Sequence, residues 1–438
     1  MVFAHGIGGS QDLPISLPFA LAGGAAALAV SFIVLIVAWR TPRFEAATHG
    51  LPLPAGFARA VDSGALPVAL RAAGLLFTAY VTWAALAGPD NLANPTFGVV
   101  YVLLWVGIVP ASLLFGPFYG AVNPVRTLHA LVSRLTGGDP GEGVLRLPSW
   151  VGVWPAGLGL LAFVWLELVA PDQEFLWTIR LWFAGYFAVV FVGATVFGDR
   201  WITAADPFEA YSTLVGHLSP FGRTTDGTLV VRSPLQNLDG VPAVPGLVAV
   251  VAVLVGSTAF DSFQDSLPWV RFSQDLPVGD VLLGSLALVA FCVVVGALFA
   301  VATTAAPPTD GIRRSHLPRL YAHSLVPIVV GYMVAHYLSY FVEVGQQTLI
   351  YLSDPMVDGS NYLGTADLQV SYWLSLHPTF LATSKVVAIV GGHVLGVIAS
   401  HDRAMRLLPL RHRLTGQLPL LAVMVVYTIS GLYLLLTV

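Results

Sequence analysis

The stretch SLPFALAGGAAALAVSFIVLIVAW (16–39) decides the fold class. It holds no charged residue, and at about 1.5 Å per helical residue it is long enough for a hydrocarbon core about 30 Å thick. Working outward, nine further apolar stretches follow, near 66–87, 97–117, 149–170, 178–198, 241–260, 277–304, 320–344, 382–402 and 417–438. The 438 residues are 56% hydrophobic and 10% charged, against roughly 25% charged in soluble domains. That balance excludes a water-soluble enzyme and a disordered chain. The expected fold is all-α: a polytopic transmembrane helix bundle of about ten spans with short cytoplasmic interfacial amphipathic helices. Residues 1–438 form a single integral membrane domain in this reading.

The basic residues set an expected orientation. With the N-terminus outside, most of the 20 Lys and Arg fall in cytoplasmic loops, while Asp172, Glu174, Asp261, Asp265, Asp275, Asp354, Asp358 and Asp367 fall outside. This positive-inside pattern predicts a bacterial inner-membrane protein with both termini extracytoplasmic. Residues 1–15 hold no Lys or Arg, so the first helix is expected to remain as an anchor. A net charge of −4 argues against nucleic acid as a partner. The single cysteine, Cys292, excludes a disulfide framework and a cysteine zinc site. The partners expected are the lipid bilayer and a second membrane subunit.

Residues 97–240 read as a parallel internal repeat of span plus interfacial helix. LLFGPFYGAVNPVRTLHALVSRL (113–135) and TVFGDRWITAADPFEAYSTLVGHLSPFGR (195–223) both begin with Phe-Gly and continue to a helix cap followed by proline. The caps are Asn123-Pro124 and Asp206-Pro207; Asn and Asp suit the N-cap, and Pro the first helical turn. Val125, Leu128, Val132 and Leu135, and then Phe208, Tyr211, Val215 and Leu218, share one helical face. Both helices are therefore expected on the cytoplasmic membrane surface.

Residues 320–404 carry a histidine-bearing helix pair. Ionisable groups inside a bilayer are costly and mark function. With Glu343 and Lys385 as edge markers, His336 lies about 10 Å and His393 about 12 Å below the edge of antiparallel spans. Gly391-Gly392 would let a neighbour approach closely. Two imidazoles at one depth suggest a divalent transition metal (zinc, copper or iron) or a single haem; the alternative is hydrogen bonding across the bundle. A second haem level fails, because His323 and His401 stand at unequal separations from His336 and His393. Glu167 and Asp280 would join as catalytic carboxylates, with His5 and His377 as outer metal ligands. No HExxH, Walker or serine-elbow motif is present.

His5-Gly6 with Gln11-Asp12-Leu13-Pro14-Ile15, Leu363-Gly364-Thr365-Ala366-Asp367, and Gly392-His393-Val394-Leu395-Gly396 through Ser400-His401-Asp402-Arg403-Ala404 carry a resemblance. The chain resembles bacterial multi-pass membrane proteins known as fenitrothion hydrolase subunits. The resemblance implies hydrolysis of organophosphorus or similar esters and carries over no catalytic residue. It departs in one respect, since only Met1-Val2-Phe3-Ala4 precede His5 where a cleavable leader is expected. Three functions follow as expectations: a metal-assisted hydrolase, a transporter or metal-handling permease, and a non-catalytic membrane subunit of a larger complex.

Overall fold

The computed structural model describes residues 9–44 and 50–437. The principal helices, in chain order, are α1 (Leu17–Ala38), α2 (Ala65–Ala87), α3 (Pro95–Leu104), α4 (Ile108–Phe115), α5 (Tyr119–Val122), α6 (Pro124–Leu135), α7 (Trp154–Leu168) and α8 (Leu176–Phe197). They continue as α9 (Asp199–Ala205), α10 (Pro207–Gly216), α11 (Leu247–Gln264), α12 (Leu267–Asp275), α13 (Asp280–Thr303), α14 (Arg314–Tyr351), α15 (Pro378–Leu407) and α16 (Leu418–Thr437). The chain is all-α and multi-pass. Among the described residues, eight helices are long and apolar enough to cross a membrane, or nine if α3 and α4, bent by 47°, form one span. The remaining apolar helix, α7, is shorter at 15 residues. Each of the ten apolar stretches thus becomes helix, and the two exceptional ones differ by a break and by length.

The chain divides into two compact units. One comprises residues 1–46, 235–339 and 372–438. Within it α14 packs on α15, α11 on α13, and α1 on α15 and α16. Its core includes Tyr332, Ala335, Ile389, Leu432, Leu435 and Leu436. Glycines set the α14–α15 approach. A Cβ on Gly392 would lie 2.5 Å from the Pro327 carbonyl oxygen, and one on Gly331 would lie 2.4 Å from that of Ala388. Small residues let helix backbones approach closely and gain dispersion energy. Gly392→Val is expected to cost about 3 kcal/mol, read as a lower midpoint in denaturant unfolding. Unchanged stability would contradict the close crossing.

The other unit comprises residues 47–234 and 340–371. It carries one small antiparallel sheet, β1 (Leu51–Pro52), β2 (Phe221–Arg223) and β3 (Leu229–Val231), with β3 in the middle. Here α10 packs on α4 and α7, α6 and α9 on α8, and α2 on α5. The two repeat segments adopt matching local backbones. After α4 and α8 the chain turns at Gly116 (φ 77°, ψ −154°) and Gly198 (φ 75°, ψ −173°). That conformation is essentially restricted to glycine, which is why Phe-Gly recurs. A short helix follows each turn, α5 or α9, then a polar cap, then α6 or α10.

The two halves differ in their surroundings. α6 is amphipathic, with Leu131, Val132 and Leu135 exposed, as an interfacial helix would be. α10 is not a surface helix: Phe208, Tyr211, Ser212, Leu214 and Val215 are all buried. An apolar stripe fixes which face is buried, but it leaves the opposite face undetermined. On α10 Glu209, Leu214 and Gly216, off the stripe, are buried as well, and Ser212 at its edge bonds to Ser112 of α4, Oγ to Oγ, at 2.9 Å.

Candidate functional site

The caps of the two repeats meet. Asn123 Oδ1 accepts from the Arg126 amide at 3.1 Å, and Asp206 Oδ1 accepts from the Phe208 and Glu209 amides at 3.0 Å. Each cap thereby satisfies an orphan N–H at a helix start. The second halves of the same side chains join each other. Asn123 Nδ2 donates to Asp206 Oδ2 at 2.9 Å and to Glu209 Oε2 at 2.9 Å. Three residues beyond each cap stand Arg126 and Glu209, and these also pair: Arg126 Nε donates to Glu209 Oε2 at 3.0 Å, and its terminal nitrogen contacts Oε1. Cap therefore bonds to cap, and third residue to third residue, at one constant offset of 83. Arg126 also donates to Thr203 at 2.9 Å and lies 3.6 Å from Asp199.

Next to this cluster, across Tyr119 and Tyr186, lies a cavity of about 800 Å³. Its walls come from α2, α3, α4 and α8, and its lining includes Tyr119, Pro124, Val125 and Tyr186. The lining is predominantly apolar, with Phe77, Val81, Leu103 and Phe183 among it. Arg180 is the charged lining residue, and its Nε donates to the Ala85 carbonyl at 2.6 Å. Part of the wall is Val99–Leu104, wound as a π-helix; such segments recur at functional sites. Of α2 only Ala84 is buried, so this helix is a thin wall.

Tyr186 links cavity and cluster, donating from its hydroxyl to Asp206 Oδ2 at 2.8 Å. Asp206 is fully buried. Loss of hydration pushes its carboxyl up to about 6, the neighbouring Glu209 charge adds to the rise, and the hydrogen bonds from Glu209 N–H, Tyr186 and Asn123 oppose it. A raised carboxyl binds its proton more readily in the folded chain than in the unfolded one. That contribution to stability is present at low pH and is lost as pH rises towards 6 and beyond. From about pH 4 to about pH 7 the wild type is expected to lose up to about 3 kcal/mol relative to Asp206→Asn. Denaturant unfolding of both across that range reads this; parallel profiles would contradict it.

The other unit holds two polar clusters. His336 Nε2 lies 2.8 Å from Asp261 Oδ2, and its Nδ1 lies 3.2 Å from Ser262 Oγ. Tyr337 donates to Asp261 at 2.7 Å, and Ser262 and Tyr332 hydroxyls are 2.6 Å apart. His336 Nε2 thus faces the Asp261 carboxylate and Nδ1 faces the Ser262 hydroxyl. At the end of α15, His401 sits between Gln417 Oε1 and the Trp39 carbonyl, each at 2.9 Å. Asp402 accepts from the Trp39 indole at 3.0 Å and from Arg406 at 2.9 Å, while Asp239 holds both Arg403 and Arg406. This second cluster ties the ends of α1 and α15 to the 239 and 417 segments.

The residues expected to gather round a metal are placed otherwise. His336 is engaged by α11. His393 is buried, with Nδ1 2.8 Å from its own helix's Ile389 carbonyl. Its Nε2 is buried without a hydrogen-bond partner among the described residues. His377 is exposed and stacks on Trp373 with ring centroids 4.3 Å apart. Asp280 is the exposed first residue of α13. Glu167 is half-buried near the end of α7, in the unit that does not contain the histidine pair. His5 lies outside the described residues. Among the described residues, no group of three or more His, Cys, Asp or Glu is arranged to hold a metal ion.

Sequence reasoning passed over Asp206, Glu209, Arg126 and Tyr186 as chemistry. The signal that finds them is the repeat itself: an offset of 83 places an Asp against an Asn and a Glu against an Arg. It passed over Asp261 too, reading it as an outer-loop acid. In comparisons with family models, curated proteins and solved structures, nothing matches the chain.

Proposed function

We propose that the protein is a permease of the bacterial inner membrane, with both termini extracytoplasmic, that moves a small apolar or amphiphilic solute through the cavity flanked by α2, α3 and α8. The observation that carries this reading is the cavity itself, lined by Pro124 and Val125 at the start of α6 and joined through Tyr186 to the meeting caps of the two repeats. About 800 Å³ suits a small-molecule ligand. Transporters commonly place discontinuous helices and their N-termini at a substrate site between repeats. Phe77, Leu86 and Phe187 line the cavity and are exposed, so an apolar solute has a path in from lipid. The test is uptake of lipophilic solutes by sealed vesicles containing the purified chain. Saturable uptake above that of empty vesicles is expected; rates equal to empty vesicles across a broad panel would contradict the reading.

A second reading is hydrolysis of organophosphorus or similar esters, which the family resemblance implies. The Ser262–His336–Asp261 chain favours it, because it orders hydroxyl, imidazole and carboxylate as nucleophilic catalysis requires. A transition metal at His336 or His393 belongs to the same reading. Ester turnover lost on His336→Gln, with elemental analysis of the same preparations, tests both forms. Turnover unaffected by that change would remove the reading.

A further inference from the structure

We propose that Asp206 exchanges a proton with the cavity through the hydroxyls of Tyr186 and Tyr119, and so couples solute movement to proton movement. The coupling rests on the permease reading; the proton exchange does not. Asp206 is buried, yet one hydroxyl separates it from the cavity. Tyr186 lines the cavity and donates to Asp206 Oδ2 at 2.8 Å. Tyr119 also lines the cavity, and its hydroxyl neighbours that of Tyr186.

The repeat isolates the reason for an ionisable cap. Asn123, at the equivalent position, caps α6 with a neutral amide. Capping alone therefore does not call for a carboxylate at 206. The groups facing Asp206 come from four elements: Glu209 on its own helix α10, Tyr186 on α8, Tyr119 on α5, and Asn123, which leads into α6. Arg126 of α6 is engaged by Glu209, with Asp199 of α9 also 3.6 Å away. Among the described residues no Lys or Arg bonds to Asp206. Its negative charge is held by four neutral donors: the Tyr186 hydroxyl, the Asn123 amide and two backbone N–H groups. Burial without a paired cation favours taking up a proton, while the four donors favour the carboxylate, so the site is poised between the two forms.

The step conserves protons and involves no redox change. Tyr186 passes its hydroxyl proton to Asp206 Oδ2 and takes one from Tyr119. Tyr119 takes one from a hydronium ion or a protonated group in the cavity, which is left as water or as the conjugate base. Both tyrosines end neutral, and Asp206 ends as a carboxylic acid. Release reverses the sequence.

The test is infrared difference spectroscopy of the full chain in lipid during a pH titration, together with uptake by the same vesicles. The wild type is expected to show a carboxylic C=O band that grows as pH falls through the weakly acidic range. Asp206→Asn, which keeps a competent cap as in the first repeat, is expected to lose that band. Tyr186→Phe removes a donor to the carboxylate, so the band's midpoint is expected to move to higher pH. Uptake in Asp206→Asn is expected to vary less than about twofold over the range in which one titrating proton changes the wild-type rate about tenfold. The same band in Asp206→Asn would overturn the proton exchange. The expected band with pH-independent wild-type uptake would overturn the coupling and leave the proton site standing. The expected band with no uptake at all would instead defeat the permease reading.

Discussion

Arg126→Met lowers the unfolding free energy by about 3–5 kcal/mol, because it leaves Glu209 buried without its cation. The side chains of Arg126 and Glu209 are only 17% and 10% exposed, so solvent replaces little of the lost interaction. The double change Arg126→Met with Glu209→Gln is expected to recover most of the loss, since it removes the stranded charge together with its partner. Denaturant unfolding of the four proteins completes the cycle. Additive effects would show that the two residues do not form the joint between the repeats.

Ala184→Trp lowers solute uptake at least about tenfold while changing stability by less than about 1 kcal/mol. Ala184 lines the cavity and is exposed, so an indole there has space to occupy and displaces few packed neighbours. The measurement is the initial uptake rate in vesicles matched for protein content, with unfolding midpoints from the same preparations. Equal uptake in both proteins would detach the cavity from transport. The pairing of readouts separates a filled site from a damaged fold.

The helix content and the ten apolar stretches were legible because hydropathy over a span depends on composition alone. The repeat was legible from Phe-Gly and from Asn123-Pro124 with Asp206-Pro207, since caps and turns leave local signatures. The break between α3 and α4, and the burial of α10, were not. Both depend on what packs around a helix. An apolar stripe at 208, 211, 215 and 218 reads alike on a membrane surface and inside a unit. The repeat offset does set Glu209 against Arg126, but the burial of Glu209 is decided by the packing around it.

The histidines show the limit of depth arguments. Similar distances from an edge place His336 and His393 near one level, but level says nothing of azimuth. The closeness foreseen at Gly392 is present, and it serves backbone contact between α14 and α15. His336 instead meets Asp261 and Ser262 of α11. No spacing within α14 or α15 encodes which neighbouring helix a side chain will face. That choice is made by packing across the whole unit.

Permease function rests on binding of the solute in the cavity. It is tested most directly by photolabelling the full chain in lipid with an apolar diazirine probe and mapping the adducts by mass spectrometry. Adducts are expected to concentrate on cavity residues such as Leu103, Tyr119 and Phe183 and to be removed by excess transported solute and by Ala184→Trp. Adducts spread evenly over exposed span residues such as Ile33, Val192 and Val294, and untouched by either change, would contradict it.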